Sequence, residues 1–253
     1  MNFEHILEHH LINHHTSHLY FHGIDFGMSP HLMTLWIVSA IVTVLMTFAA
    51  RSTSSVGVVA RGGVEAVVIY LRDELLHPIF HDATETYLPY FLTLFFFIFV
   101  ANLVGLVPSA SAITSNPNVT GALALCTFGL IHFAGVKEQG PVEYIKHIAP
   151  GGLPAVLVPL IFAIEVFGLL AKCIALCIRL FANIISGHVV SLAFLSLIFI
   201  FAEMSKPIGL LVSPMAVGLA LFVYTLDVLV AVLQAYIFTF LTAIFVGGAV
   251  HPH

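Results

Sequence analysis

The chain has 253 residues, 60% of them hydrophobic and only 8% charged, with a formal net charge of −5. An ordinary soluble domain is roughly 25% charged, so this composition, with a mean hydropathy of +1.06, excludes a water-soluble globule. The acidic balance implies no nucleic-acid partner and leaves a polytopic membrane protein.

Residues 1–31 hold eight His and no Lys or Arg. A cleavable signal peptide needs a basic start followed directly by a short apolar core. Neither is present, so this segment is expected to be retained. His9-His10 and His14-His15 at helical spacing are metal-ligand types. No Cys joins them, and the simpler reading is a solvated tail whose charge rises below about pH 6.5.

Residues 32–50 make the first predicted span, with the ~20 residues a bilayer requires. Arg51, Arg61 and Arg72 follow. Cations gather in inner loops, which places the N-terminus outside. Residues 62–80 set Val64, Val67, Val68, Leu71, Leu75 and Ile79 on one stripe, with Glu65, Arg72, Asp73 and Glu74 largely off it. That pattern predicts an amphipathic helix on the inner membrane surface, ended by Pro78.

Residues 89–107 return outward, with Asn102 as the strongly polar interior residue. An uncharged, turn-rich loop follows at 108–118. Residues 120–136 cross back, and 137–150 carry Lys137 and Lys146 into an inner loop. Five inner-loop cations thus stand against one, Lys206, on the predicted outer side.

The last two apolar stretches, 153–202 and 207–247, would be ~75 and ~60 Å long as single helices, against a hydrocarbon core of ~30 Å. Each either breaks into two spans or lies steeply tilted. The first carries Glu165, Lys172, Arg179, Asn183 and His188. A charged side chain at bilayer depth costs at least ~2.5–3.5 kcal/mol, so it persists where function or pairing holds it. Glu165, Lys172 and Arg179 recur every seventh residue, a spacing that drifts only about 20° per heptad on a helix. They form one polar stripe with Asn183, and the stripe favours tilt.

Together these segments predict a single membrane domain of the all-α polytopic class. It has five membrane-crossing helices and one amphipathic surface helix, the last two spans long and strongly tilted as a hairpin. If the hairpin pairs Arg179 with Gln234 and His188 with Asp227, both midpoints fall beside Lys206-Pro207. Pro and Lys already suggest a turn there.

Arg179-Leu-Phe-Ala-Asn183, Ser186-Gly187-His188 and Leu233-Gln-Ala-Tyr-Ile-Phe238 together resemble the signatures of the membrane-embedded a subunit of rotary F-type ATP synthases. The resemblance extends through Pro89 to Pro108 (PYFLTLFFFIFVANLVGLVP) and covers about Val64 to Val246. It implies a non-catalytic, proton-translocating stator subunit of a bacterial plasma membrane, with an outside N-terminus and a cytoplasmic C-terminus. The implied partners are a ring of c subunits, a peripheral stalk of b subunits, membrane lipid and protons. It implies no cofactor and no metal, and ATP chemistry falls to other subunits.

Under that resemblance Arg179 separates two offset half-channels. A carboxyl carried through lipid must stay protonated, because a bare carboxylate in hydrocarbon is prohibitively costly. A fixed guanidinium favours the ionised form and does not give up its own proton. The outer route is expected to use His188, Asp227, Asn183 and Gln234, the inner one Glu165 and Lys172. In many relatives Glu stands at the position of His188 and His at that of Asp227; here an acid and an imidazole are exchanged. Two other classes compete. A stand-alone secondary ion or anion transporter predicts inverted repeats, which the halves do not display. A structural scaffold leaves Arg179, His188, Asp227 and Gln234 without purpose.

Overall fold

The computed structural model describes residues 17–21, 24–28, 30–51, 55–107, 112–141, 143–144 and 158–250. The His pairs at 9–15, residues 108–111 of the outer loop, and the inner loop beyond 144 with Lys146 lie outside the described residues. Strands β1 (Ser17–Phe21) and β2 (Ile24–Met28) form an antiparallel ribbon, in register from Ser17 opposite Met28 to Phe21 opposite Ile24. This ribbon within the His-rich segment has no counterpart in the sequence reading.

The helices are α1 (Pro30–Arg51), α2 (Ser55–Tyr70), the short α3 (His77–Phe80), α4 (Thr84–Gly105), α5 (Pro117–Gln139), α6 (Val158–Met204) and α7 (Lys206–Val250). A π-helical turn at Leu71–Leu76 joins α2 to α3, and 3₁₀ turns lie at His81–Ala83 and Ile113–Ser115. Among the described residues, five helical segments are long and apolar enough to cross a membrane. The chain is an integral membrane protein of the all-α class. The two long apolar stretches are single helices of 47 and 45 residues, not pairs of shorter spans. At 1.5 Å per residue each far exceeds a ~30 Å core, so neither stands upright within it. Their apolar side chains are widely exposed, Phe199 to 72% and Leu211 to 79%, a surface that lipid or an apolar partner tolerates and water does not.

The chain forms two compact units, the first from 1–40, 98–116 and 179–234, the second from 41–97, 117–178 and 235–253. In the second, the stripe expected at 62–80 is the inward face. Leu71, Leu75 and Leu76 are buried, and Val64, Val67, Val68 and Ile79 are partly so, while Glu65, Arg72, Asp73 and Glu74 are exposed. Pro78 does not stop this run, which continues to Phe80. Proline lacks an N–H and its ring crowds the carbonyl four residues back. The wider π turn just before it relaxes that constraint. Phe80 then packs on Tyr87 and Phe91, ring centres 5.0 and 5.5 Å apart.

Elsewhere in this unit Tyr144 lies tight against Gly135 of α5, where any side chain would collide with its ring. Its hydroxyl lies 2.8 Å from Nδ1 of His132. Gln139 donates from Nε2 to the carbonyl of Ala249 at 2.6 Å, tying the end of α5 to the end of α7. Cys177 touches Thr120, Cys173 is buried and Cys126 is exposed.

In the first unit the chain reverses at Ser205, between α6 and α7. Ser205 N–H donates to Phe201 O at 3.1 Å, and Gly209 N–H donates to Ser205 O at 3.0 Å. A Cβ on Gly209 would stand 2.7 Å from the Ala202 backbone, so glycine permits this close return. The reversal falls where the paired motifs place it.

Candidate functional site

Within the first unit, the facing sides of α6 and α7 and the end of α4 line a small, partly open pocket. From α6 come Asn183, Gly187, His188 and Ser191; from α7 come Tyr224, Asp227 and Gln234; α4 supplies Asn102. The positions on each long helix lie three, four or seven residues apart, with Gly187 and His188 adjacent, which puts them on one face. An antiparallel hairpin sets the two faces against each other, and polar groups far apart in sequence meet.

Asn183 donates from Nδ2 to Oε1 of Gln234 at 2.6 Å. Gln234 is 3% exposed, and its Nε2 is buried without a hydrogen-bond partner. The Asp227 carboxylate lies over the backbone of Gly187, where an added Cβ would be 2.7 Å from either oxygen. His188 and Tyr224 both lie within electrostatic reach of Asp227. The acid and the imidazole thus share the pocket. Asn102 is fully buried and accepts from Thr114 Oγ1 at its Oδ1, 3.1 Å away. Its Nδ2 and the Oγ of Ser191 are buried without partners. Unpaired buried donors around a pocket with room for a water molecule are the condition under which ordered water is retained.

Arg179 belongs to the same unit, one helical turn before Asn183, but does not line the pocket. Its Nη1 is buried with no hydrogen-bond partner among the described residues. An orphaned charged donor is costly, so this group lacks an acceptor that the described part of the chain does not supply. Glu165 and Lys172 belong to the second unit and are exposed. Lys172 places its Nζ 5.2 Å from the centre of the Phe245 ring, a cation–π contact.

Three polar pocket residues carry no role in the sequence reading. Ser191 stands one turn beyond His188 and Tyr224 one turn before Asp227, so helical spacing from the two motif residues could have found both. Asn102 was visible as a polar residue in an apolar span, but nothing in its own segment pointed to α6 and α7.

Fold and site define an integral membrane protein in which two long apolar helices close on a pocket of amides, an imidazole and a carboxylate. The chain belongs to the ATP synthase A chain family, whose sequence profile matches residues 32–247. It is 39% identical over 232 residues to ATP synthase subunit a of Chlorobium phaeobacteroides, covering 90% of this chain and 66% of that one. It is 35% identical to the subunit a of Chloroherpeton thalassium, covering 90% and 68%. It is also 35% identical to that of Myxococcus xanthus, covering 91% and 76%. The chain thus spans about two thirds to three quarters of the length of these relatives.

Proposed function

We propose that this chain is the stationary, non-catalytic ion-carrying subunit of a rotary ATP synthase in a bacterial plasma membrane. Protons enter from the outside through the pocket of Asn183, His188, Asp227 and Gln234. They pass to carboxyl groups on a rotating ring of c subunits and leave by an inner route lined by Glu165 and Lys172. Arg179 stands between the two routes and keeps them from joining. A peripheral stalk of b subunits holds the chain still.

The observation that carries this reading is the buried, unpartnered Nη1 of Arg179 beside a polar pocket on an otherwise apolar hairpin. A ring carboxylate arriving on the exposed face of α6 and α7 supplies the missing acceptor, and its ionised form is favoured there. Purification of the chain under mild detergent tests the assembly. It should bring down a ring of small hairpin subunits, each with a mid-membrane carboxylate; recovery of the chain alone, still transporting an ion, supports a stand-alone transporter instead.

Orientation follows from the cation bias, with the N-terminus outside and residues 62–80 lying on the inner surface. Single cysteines at Asn118 and Glu143, both exposed, serve as reporters in a background whose native thiols are replaced. Asn118→Cys should react with an impermeant thiol reagent from outside only, and Glu143→Cys from inside only. Labelling of both from one face removes this topology.

A further inference from the structure

Ser191 is a buried pocket residue to which the ion path above assigns no part. It is 6% exposed, it lines the pocket together with Asp227, and its buried Oγ has no hydrogen-bond partner among the described residues. A serine or threonine inside a helix commonly satisfies its hydroxyl on the carbonyl three or four residues back. This chain does so at Thr47, Thr93, Ser196, Thr225 and Thr239. Ser191 does not, although Gly187 and His188 offer their carbonyls at those two positions. Its hydroxyl is left to the pocket, and a buried hydroxyl is costly without a partner.

The Asp227 carboxylate lies over Gly187, one helical turn before Ser191 on the same face of α6. Four residues of helix rise about 6 Å. Side chains lean toward the helix N-terminus, which brings Oγ back toward the carboxylate. That interval is too long for one hydrogen bond and fits two of ~2.8 Å end to end, the reach of a single bridging water. Asn102 lines the same pocket with its Nδ2 buried and unpartnered among the described residues, since its Oδ1 already accepts from Thr114. An amide NH₂ anchors a water but takes no proton from it, whereas a hydroxyl both donates and accepts.

The hairpin gives the polar face a direction. Asn183 bonds to Gln234 at one end, Asp227 meets Gly187 a turn further on, and Ser191 follows another turn nearer the reversal at Ser205. The groups thus run from amides, through imidazole and acid, to a hydroxyl.

We propose that Ser191 is a further relay residue of the ion path: through one water bridging its Oγ to Asp227, it passes protons inward from the outer mouth. This rests on the reading of that pocket as the outer half-channel. The step is concerted. Ser191 gives its hydroxyl proton to the bridging water as it takes one from water on its outer side, and the bridging water gives one to the carboxylate. One O–H bond breaks and one forms at Oγ and at the bridging oxygen, so neither is left charged.

The test measures ATP-driven proton transport by the intact synthase in membrane vesicles, with assembly read from the chain's content in the purified complex. Ser191→Ala should slow transport about three- to tenfold, the effect of one neutral hydrogen bond. Ser191→Thr keeps the hydroxyl and should run near the parental rate. Ser191→Val matches threonine in shape without the hydroxyl and should be as slow as Ser191→Ala. Both slowed variants should show a larger solvent isotope effect in heavy water than the parent, because proton delivery then limits them.

Parental transport by an assembled Ser191→Ala enzyme overturns the proposal, and so does a slowed one whose isotope effect is unchanged. Equal rates for the threonine and valine variants overturn it too, because shape and not the hydroxyl then decides. If Ser191→Ala does not assemble, that pair decides; failure of either of them to assemble as well makes Ser191 a packing residue, and the proposal falls. Asp227→Asn is run alongside. Slow transport there with parental Ser191→Ala overturns this inference alone, whereas parental rates in both overturn the half-channel reading.

Discussion

Arg179→Lys should abolish ATP-driven proton pumping while the synthase still assembles, and Arg179→Ala should add a passive proton leak. The buried Nη1 of Arg179 has no partner among the described residues, so the guanidinium stands ready for an acceptor brought by the ring. Lysine keeps the charge but loses the planar fork, and burial can strip its proton. A neutral amine neither draws a proton from a ring carboxyl nor blocks a direct path between the routes. Losing one preorganised charge stabiliser costs on the order of 10²–10³ in rate, enough to bring pumping to background. A charge crossing 100 mV is worth about 2.3 kcal/mol, so an unblocked route drains the gradient visibly. The measurements are pumping and passive permeability in reconstituted vesicles. Coupled pumping at a normal rate by the lysine variant removes Arg179 from the centre of the mechanism.

The second large effect is expected at Asp227. Asp227→Asn should cut coupled proton flow by about 100-fold, the low end for loss of a positioned acid–base group, with little effect on assembly. Exchanging the pair, His188→Asp with Asp227→His, should retain more activity than either single change, because acid and imidazole share one pocket. Gly187→Ala reaches the same carboxylate from the opposite helix. The new methyl would stand 2.7 Å from both oxygens, so the carboxylate must turn away from its site and transport should fall. A double exchange as inactive as the worse single variant means that the two residues do not act as a pair.

The helices were legible because lipid imposes a simple rule: about 20 apolar residues for each upright crossing. That rule failed usefully for α6 and α7, whose excess length, with the heptad-spaced charges of α6, pointed to inclined helices. The hairpin register was legible too, since a turn beside Lys206-Pro207 brings the α6 motif residues opposite those of α7. The pairing is not residue for residue: Gln234, expected opposite Arg179, bonds to Asn183 one helical turn further on. Asn102 and Thr114 were not legible as site residues, because their place depends on how α4 and the following turn pack, which no periodicity encodes. The surface helix ends at Phe80, the bound expected for it, but Pro78 is not its last residue: it sits in the first turn of α3, just after the π turn, where a missing N–H is tolerated.

The return at Ser205 bears on how the protein is made. With one residue between α6 and α7, no loop exists that could cross the membrane separately after α6 has settled. Left alone in lipid, α6 would carry Glu165, Lys172, Arg179, Asn183 and His188 without the groups on α7 that meet some of them. Each charge at mid-depth costs several kcal/mol on its own. The two helices should therefore enter the bilayer as one folded finger, its polar seam zipped as it goes. A chain stopped at Met204 should insert poorly, because its seam is left unpaired.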